Sequence, residues 1–127
     1  MTRRILVVED TVDNRQIVRD LLTSAGFEVI EAVDGAAGVA LAGTSRPDLV
    51  IMDVQLPVMD GYEATRRLKS DPALRAIPVI AVTSYALSGD EERSRAAGCD
   101  GYLSKPFSPS HLLRMVRGFL EDDAPHA

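Results

Sequence analysis

Three runs constrain this chain more than anything else in it: Ile5-Leu6-Val7-Val8, Leu49-Val50-Ile51-Met52 and Val79-Ile80-Ala81-Val82. Each is continuously apolar and rich in β-branched residues, so each reads as a strand covered on both faces. Such strands belong to the interior of a parallel sheet with helices on either side. Each run also ends on a polar residue: Glu9-Asp10 after the first, Asp53 after the second and Thr83 after the third. Two weaker segments, Glu28-Val29-Ile30-Glu31-Ala32 and the short Gly101-Tyr102-Leu103, read as edge strands.

Between the strands the apolar spacing becomes helical. The first helix carries Ile17, Val18, Leu21, Leu22 and Ala25 on one face and stops at Gly26, a residue at ease in the left-handed conformation of a C-cap. The second runs from Asp34 through Ala37 and Leu41 to about Gly43. The third opens at Asp60 with Glu63 three positions on, and the fourth at Ser88 with Glu91, both with the spacing of a capping box. The last starts at Ser108-Pro109, buries Leu112, Leu113, Val116, Phe119 and Leu120, and gives way to a polar tail over Glu121 to Ala127. Beyond Leu87 the fourth helix offers the core mainly Ala96 and Ala97. Loose docking is therefore expected, and Ala86 to Gly98 is the segment cheapest to move.

Strands and helices alternate five times in 127 residues, which makes a single α/β domain with its core over about residues 4–121. With strands one, three and four interior and two and five at the edges, the order is 2-1-3-4-5. Right-handed crossovers then put helices one and five on one face and two to four on the other. The switch point lies between strands one and three. Ligands of such sheets bind there, outside the carboxyl ends of the strands, and there Glu9, Asp10 and Asp53 converge.

Composition removes several classes of function. A net charge of −5 without a Lys/Arg cluster argues against a nucleic-acid groove or a polybasic membrane patch. No apolar run approaches the roughly 20 residues of a membrane helix, so no membrane insertion is expected. One cysteine, Cys99, cannot form an internal disulfide or a structural zinc site, and the segment before Glu9 is too short for a signal peptide. The cytosol is the expected compartment.

Carboxylates gathered at one strand-end crevice repel by about 3 kcal/mol per pair at roughly 5 Å and an effective dielectric near 20. They call for a cation. All the donors are hard oxygens with no His or Cys nearby, which favours Mg²⁺ over zinc or copper. Singly, an acid after a strand is a solvated loop residue, Thr83 a turn hydroxyl and Lys105 a surface lysine. Together they suit phosphoryl transfer, with Asp53 as acceptor of the phosphoryl group, Glu9 and Asp10 at the metal, and Thr83 and Lys105 on the phosphoryl oxygens.

From Ile5 to about Leu120 the chain resembles the receiver domains of response regulators in two-component signalling, which share the CheY-like, doubly wound fold. The resemblance rests on Glu9-Asp10, on Asp53 within Met-Asp-Val-Gln-Leu-Pro-Val-Met-Asp-Gly, on Thr83-Ser84, on Tyr102 and on Lys105-Pro106. It implies Mg²⁺ held by Asp10, Asp53 and the Gln55 backbone carbonyl, with Glu9 close by. It also implies phosphotransfer from a histidine kinase or a histidine phosphotransfer protein to Asp53. The family's switch would draw the Thr83 hydroxyl inward and let the Tyr102 ring turn from exposed to buried. The surface of helix four, strand five and helix five would then serve as output toward a downstream protein, and a phosphorylation-linked dimer is compatible with it. A cis Lys105-Pro106 bond is implied too.

Some positions depart from the commonest pattern. Thr11 stands where asparagine is frequent, and Gln55 and Tyr85 stand where the family tunes access of the attacking water. A bulky Tyr85 favours slow hydrolysis. The segments Gly89 to Arg93 and Ala97 to Tyr102 are similar to stand-alone DivK-type cell-cycle receivers and to receivers of hybrid kinases. The chain ends just after the fifth helix, so the expectation is a stand-alone regulator that docks to partners and is not an enzyme, with a receiver cut from a longer protein as the alternative. Two rivals read less well. A haloacid-dehalogenase-type phosphatase needs a second acid two residues after Asp53, where Gln55 stands. A phosphorylation-independent interaction module usually lacks an acid, the threonine or the lysine, and all are here. His111 and His126 read as solvent-facing, and Cys99 as a packed loop residue.

Overall fold

The structure, a computed structural model, describes residues 3–83 and 90–121. In chain order the elements are β1 Arg4–Val8, α1 Val12–Ser24, β2 Glu28–Ala32, α2 Gly35–Ser45, β3 Leu49–Asp53, α3 Gly61–Ser70, β4 Val79–Thr83, α4 Asp90–Ala97, β5 Gly101–Ser104 and α5 Pro109–Glu121. The strands form one sheet in the order β2-β1-β3-β4-β5, and every pair is parallel.

The interior strands divide their side chains between two cores by simple alternation. Ile5 and Val7, Leu49 and Ile51, Ile80 and Val82 point to one face, where Leu22 of α1 and Leu112, Val116 and Leu120 of α5 cover them. Leu6, Val8, Val50, Met52 and Val79 point to the other, under Ala42 of α2 and Ala64 and Leu68 of α3. A third, smaller cluster joins Val54, Tyr62, Ala81 and Ala97 beneath α4. Among the described residues, no helix is long and apolar enough to cross a membrane.

Several local expectations are corrected. Ile17 is 64% exposed, because the buried arc of α1 is centred on Val18, Leu22 and Ala25 and Ile17 lies about a quarter-turn away. Leu113 and Phe119 pack only partly against the core that holds Leu112, Val116 and Leu120. Helix α2 continues past Gly43 to Ser45 and ends on Arg46, which adopts the left-handed conformation. The box at the start of α3 is half made: Asp60 Oδ1 accepts from the Glu63 amide, while the Glu63 carboxylate turns to Arg66 and Arg67.

In α4, Ser94 and Ala97 are buried and Ala96 is exposed. Ser94 Oγ is the buried side-chain polar atom that finds no hydrogen-bond partner among the described residues. That burial is unfavourable, which fits a lightly seated helix. The expected start of this helix at Ser88, with Ser84, Tyr85, Ala86, Leu87 and Gly89, lies outside the described residues, as does the tail with His126. His111 is exposed and Cys99 half-buried.

Candidate functional site

Strand register brings the site together. Val8 pairs with Met52, so Glu9 stands level with Asp53; Asp53 pairs with Val82, and Val82 with Leu103. Glu9, Asp53 and Lys105 continue the alternation of Val7, Ile51 and Leu103, so all three belong to the face covered by α1 and α5. Lys105 starts two strands away from Asp53, about 10 Å in sheet spacing, and its long stem returns across that gap.

The ammonium ends between two acids. Lys105 Nζ donates to Glu9 Oε1 at 2.8 Å and to Asp53 Oδ2 at 3.1 Å. Both acids are 5% exposed. Burial pulls the Lys105 ammonium down, but the Glu9 hydrogen bond and the Asp53 charge outweigh it and leave its pKa above the ordinary lysine value. The turn after Ser104 contains a cis Lys105-Pro106 peptide, and the Lys105 amide donates to the Thr83 carbonyl at 2.7 Å.

Asp53 is held at its other oxygen by the Gln55 amide, 2.9 Å from Oδ1. Behind it Gly61 opens α3, and a Cβ there would run into the Asp53 carbonyl and Val54 Cα. Only a glycine lets the helix start so close to Asp53. The intervening loop turns sharply: the Met59 amide donates to the Pro57 carbonyl at 2.7 Å around Val58, whose φ is 68°. This is a positive-φ γ-turn, a rare and strained geometry for a β-branched residue. Val58 is also 89% exposed.

Glu9, Asp10 and Asp53 each offer an oxygen, and the three oxygens lie within 4.8 Å of one another. Against their three charges stands Lys105, which leaves two negative charges uncompensated within the group. Hard oxygens with that surplus fit a divalent cation of the Mg²⁺ type. The three are not equivalent. Glu9 has every polar group engaged, with Oε2 accepting from the Thr11 amide, Oε1 from Lys105, the amide donating to Ala32 and the carbonyl accepting from Arg15. Asp10 is exposed, and its side chain makes no contact of this kind among the described residues.

Thr83 ends β4, 1% exposed, one residue beyond the Asp53 partner Val82. By alternation it follows Val79 and Ala81 to the opposite face, where Ala81 packs with Ala97 of α4 and with half-buried Tyr102. It thus stands between the acids and α4. On the other side, a cleft of about 500 Å³ opens between α1 and the turn after β5, rimmed by Asn14, Ile17, Pro106 and Phe107, with Glu9, Asp53 and Lys105 in its wall. Nearby, Val12 and Ile17 of α1 expose 62% and 64% of their surface.

Arg15, Gly61 and the exposed Ile17 are site features that spacing alone does not flag. Gly61 carried a visible signal, since glycine directly after a helix N-cap is costly unless something packs against it.

Comparison with known proteins agrees with the fold. Residues 5–117 match the family described as the response regulator receiver domain. The chain is 44% identical over 122 residues to the polar-differentiation response regulator DivK of Brucella ovis, covering 96% of this chain and 99% of that protein. Among solved structures, it is similar to the receiver domain of a Pseudomonas aeruginosa sensor histidine kinase that carries a magnesium ion in its active-site cleft. That match has a TM-score of 0.88, 38% identity and coverage of 94% and 98% of the two chains. The chemotaxis protein CheY4 of Vibrio cholerae matches with a TM-score of 0.89 and 32% identity, over 94% of this chain and all of that one.

Proposed function

Because the chain belongs to the response-regulator receiver family, we propose that it works as one receiver domain in which Asp53 accepts a phosphoryl group from the phosphohistidine of a histidine kinase or phosphotransfer protein. The observation that carries this reading is the Lys105 ammonium bridging buried Glu9 and Asp53, with Asp10 alongside.

In the transfer an Asp53 carboxylate oxygen forms the new bond to phosphorus as the bond to the histidine nitrogen breaks, and the imidazole leaves with the electron pair. The Asp53 backbone is already fixed by Gly61 and its carboxylate by the Gln55 amide, so little ordering remains to be done. Lys105 exchanges an Asp53 contact for a phosphoryl oxygen, and the Thr83 hydroxyl takes another. Asp10, Asp53 and the Gln55 carbonyl would hold Mg²⁺, with Glu9 acting on it from behind. When bound, the ion neutralises charge on the transferred group. The protein is an acceptor and signal carrier, and the cytosol suits its donor.

The cleft beside Asp53 supports the donor's approach. It ends at the acceptor, and its apolar rim on α1 gives a helical, histidine-bearing protein something to bury while its phosphorus reaches Asp53. Output follows from the opposite face. Thr83 drawn toward the phosphoryl group loosens the packing around Ala81, Tyr102 and Ala97, and α4, which buries Ala97 and an unpartnered Ser94 hydroxyl among the described residues, is lightly seated against such a change. A downstream protein reading α4, β5 and α5 would sense it, as would a second copy forming a phosphorylation-linked dimer.

The test is incubation with acetyl phosphate, with and without Mg²⁺, followed by intact mass of wild type and Asp53→Asn. One Mg²⁺-dependent phosphoryl adduct is expected in the wild type and none in the variant. The same adduct in Asp53→Asn would sink the assignment, and turnover of phosphate esters without an adduct would favour the phosphatase class.

A further inference from the structure

Asp10 is the odd member of the acidic group: it is exposed, and among the described residues its side chain has no hydrogen-bond or ion-pair partner. Where its carboxylate stands is therefore decided by the backbone that carries it, above all by the Glu9–Asp10 peptide. One side chain grips that peptide. Arg15, in the first turns of α1, donates from Nη1 to the Glu9 carbonyl at 2.9 Å and from Nε to Glu31 Oε1 of β2 at 3.1 Å. The planar guanidinium is thus fixed at two points, by a carbonyl on one side and a carboxylate on the other. Arg19 reaches the second oxygen of Glu31 at 3.4 Å, so Glu31 is itself held. The Arg15 side chain is only 15% exposed, against 40% for Arg19.

We propose that Arg15, braced by Glu31, is a positioning residue for the metal site: through the Glu9 carbonyl it fixes the peptide plane that aims Asp10 at the ion. The inference rests on the Mg²⁺ reading above. The expected sign is unusual. Arg15 is a cation close to the acidic group, so on charge alone its removal strengthens binding of another cation. If its role is to position Asp10, removal weakens binding.

The experiment is calorimetric titration of the full chain with Mg²⁺ for wild type, Arg15→Met, Arg15→Lys, Glu31→Gln and the double variant Arg15→Met/Glu31→Gln. Circular dichroism melts establish that each is folded. Arg15→Met is expected to weaken Mg²⁺ about tenfold, the lower end of what loss of a partner behind a metal ligand costs. Arg15→Lys keeps the charge but not the fork and should weaken it severalfold. Glu31→Gln should weaken it as well, and adding it to Arg15→Met should cause no further loss, since both act through one contact. Charge alone would make the two effects additive and opposite. Folded Arg15→Met that binds Mg²⁺ as tightly as wild type, or more tightly, overturns the proposal. Should Arg15→Met not fold, unchanged affinity in Arg15→Lys overturns it equally. Wild type that binds no Mg²⁺ overturns the metal reading itself, a different outcome from wild-type binding that Arg15 does not affect.

Discussion

Replacing Lys105 with methionine keeps the length of the stem and removes the ammonium between two buried carboxylates. The ammonium sits 2.8 Å and 3.1 Å from side chains only 7% and 6% exposed, while Lys105 itself is 21% exposed. At an effective dielectric near 20 each attraction is about 5 to 6 kcal/mol before desolvation, and desolvation offsets much of it. Removing one partner of a buried pair costs about 3 to 5 kcal/mol. Water entering beside partly exposed Lys105 brings the expected loss to the lower end, about 3 kcal/mol. In a domain of this size that lowers the melting temperature by about 10 °C. Urea denaturation with EDTA reads the loss directly.

Adding Mg²⁺ should then stabilise Lys105→Met more than wild type, because a divalent ion restores the missing counter-charge; at one hundred times its Kd a ligand contributes about 2.7 kcal/mol. The pH dependence has a defined sign. Lys105 has a raised pKa when folded, so the stabilisation is fully present below the unfolded lysine value of about 10.4 and is lost as pH rises through the folded value. A variant within about 1 kcal/mol of wild type in EDTA, or one that gains no more from Mg²⁺ than wild type does, would refute the reasoning.

Four further outcomes are expected. Gly61→Ala forces a Cβ against the Asp53 carbonyl; it should lose at least about 2 kcal/mol and acetyl-phosphate labelling together, and labelling at the wild-type rate would refute the close-packing role. Val58→Gly removes a β-branched residue from φ 68° and should raise stability by on the order of 0.5 kcal/mol, the strain of the positive-φ γ-turn relieved exceeding the entropy of the added glycine, as denaturant midpoints can measure. Ser94→Ala deletes a buried hydroxyl that has no partner among the described residues and should stabilise by about 1 kcal/mol while slowing hydrogen exchange in α4; a loss of stability would contradict it. Burial pushes the Cys99 thiol up, only partly opposed by its Thr65 contact. The folded chain then holds the thiol proton to higher pH than the unfolded chain, so stability falls as pH rises above about 8.5. Iodoacetamide labelling at pH 8 should be slow when folded and fast in urea.

Most of the fold was legible because its signals are local. Ile5 to Val8, Leu49 to Met52 and Val79 to Val82 are apolar at every position, and only a sheet covered on both faces buries them all. Helix limits were less legible, since Gly43 lies inside α2 although glycine commonly marks a helix end, and a left-handed Arg46 is no stop signal that residue type reveals. The exposure of Ile17 was missed because a helical stripe has soft edges, and whether a flanking residue is covered depends on how far the neighbouring loop reaches.

By itself, the sequence determined which residues stand at the carboxyl ends of the strands: Glu9, Asp10, Asp53 and Thr83, with Lys105 just beyond the last. Strand identity and the period-two alternation place them without any knowledge of contacts. Tertiary structure alone decided how unlike those acids are. Glu9 is locked by Thr11, Arg15, Lys105 and Ala32, while Asp10 is left open, and Gly61 presses against the Asp53 backbone. Such differences come from groups far apart in the chain meeting in three dimensions. Lys105 and Glu9 lie 96 residues apart, and nothing in the residue type of either one records that they touch.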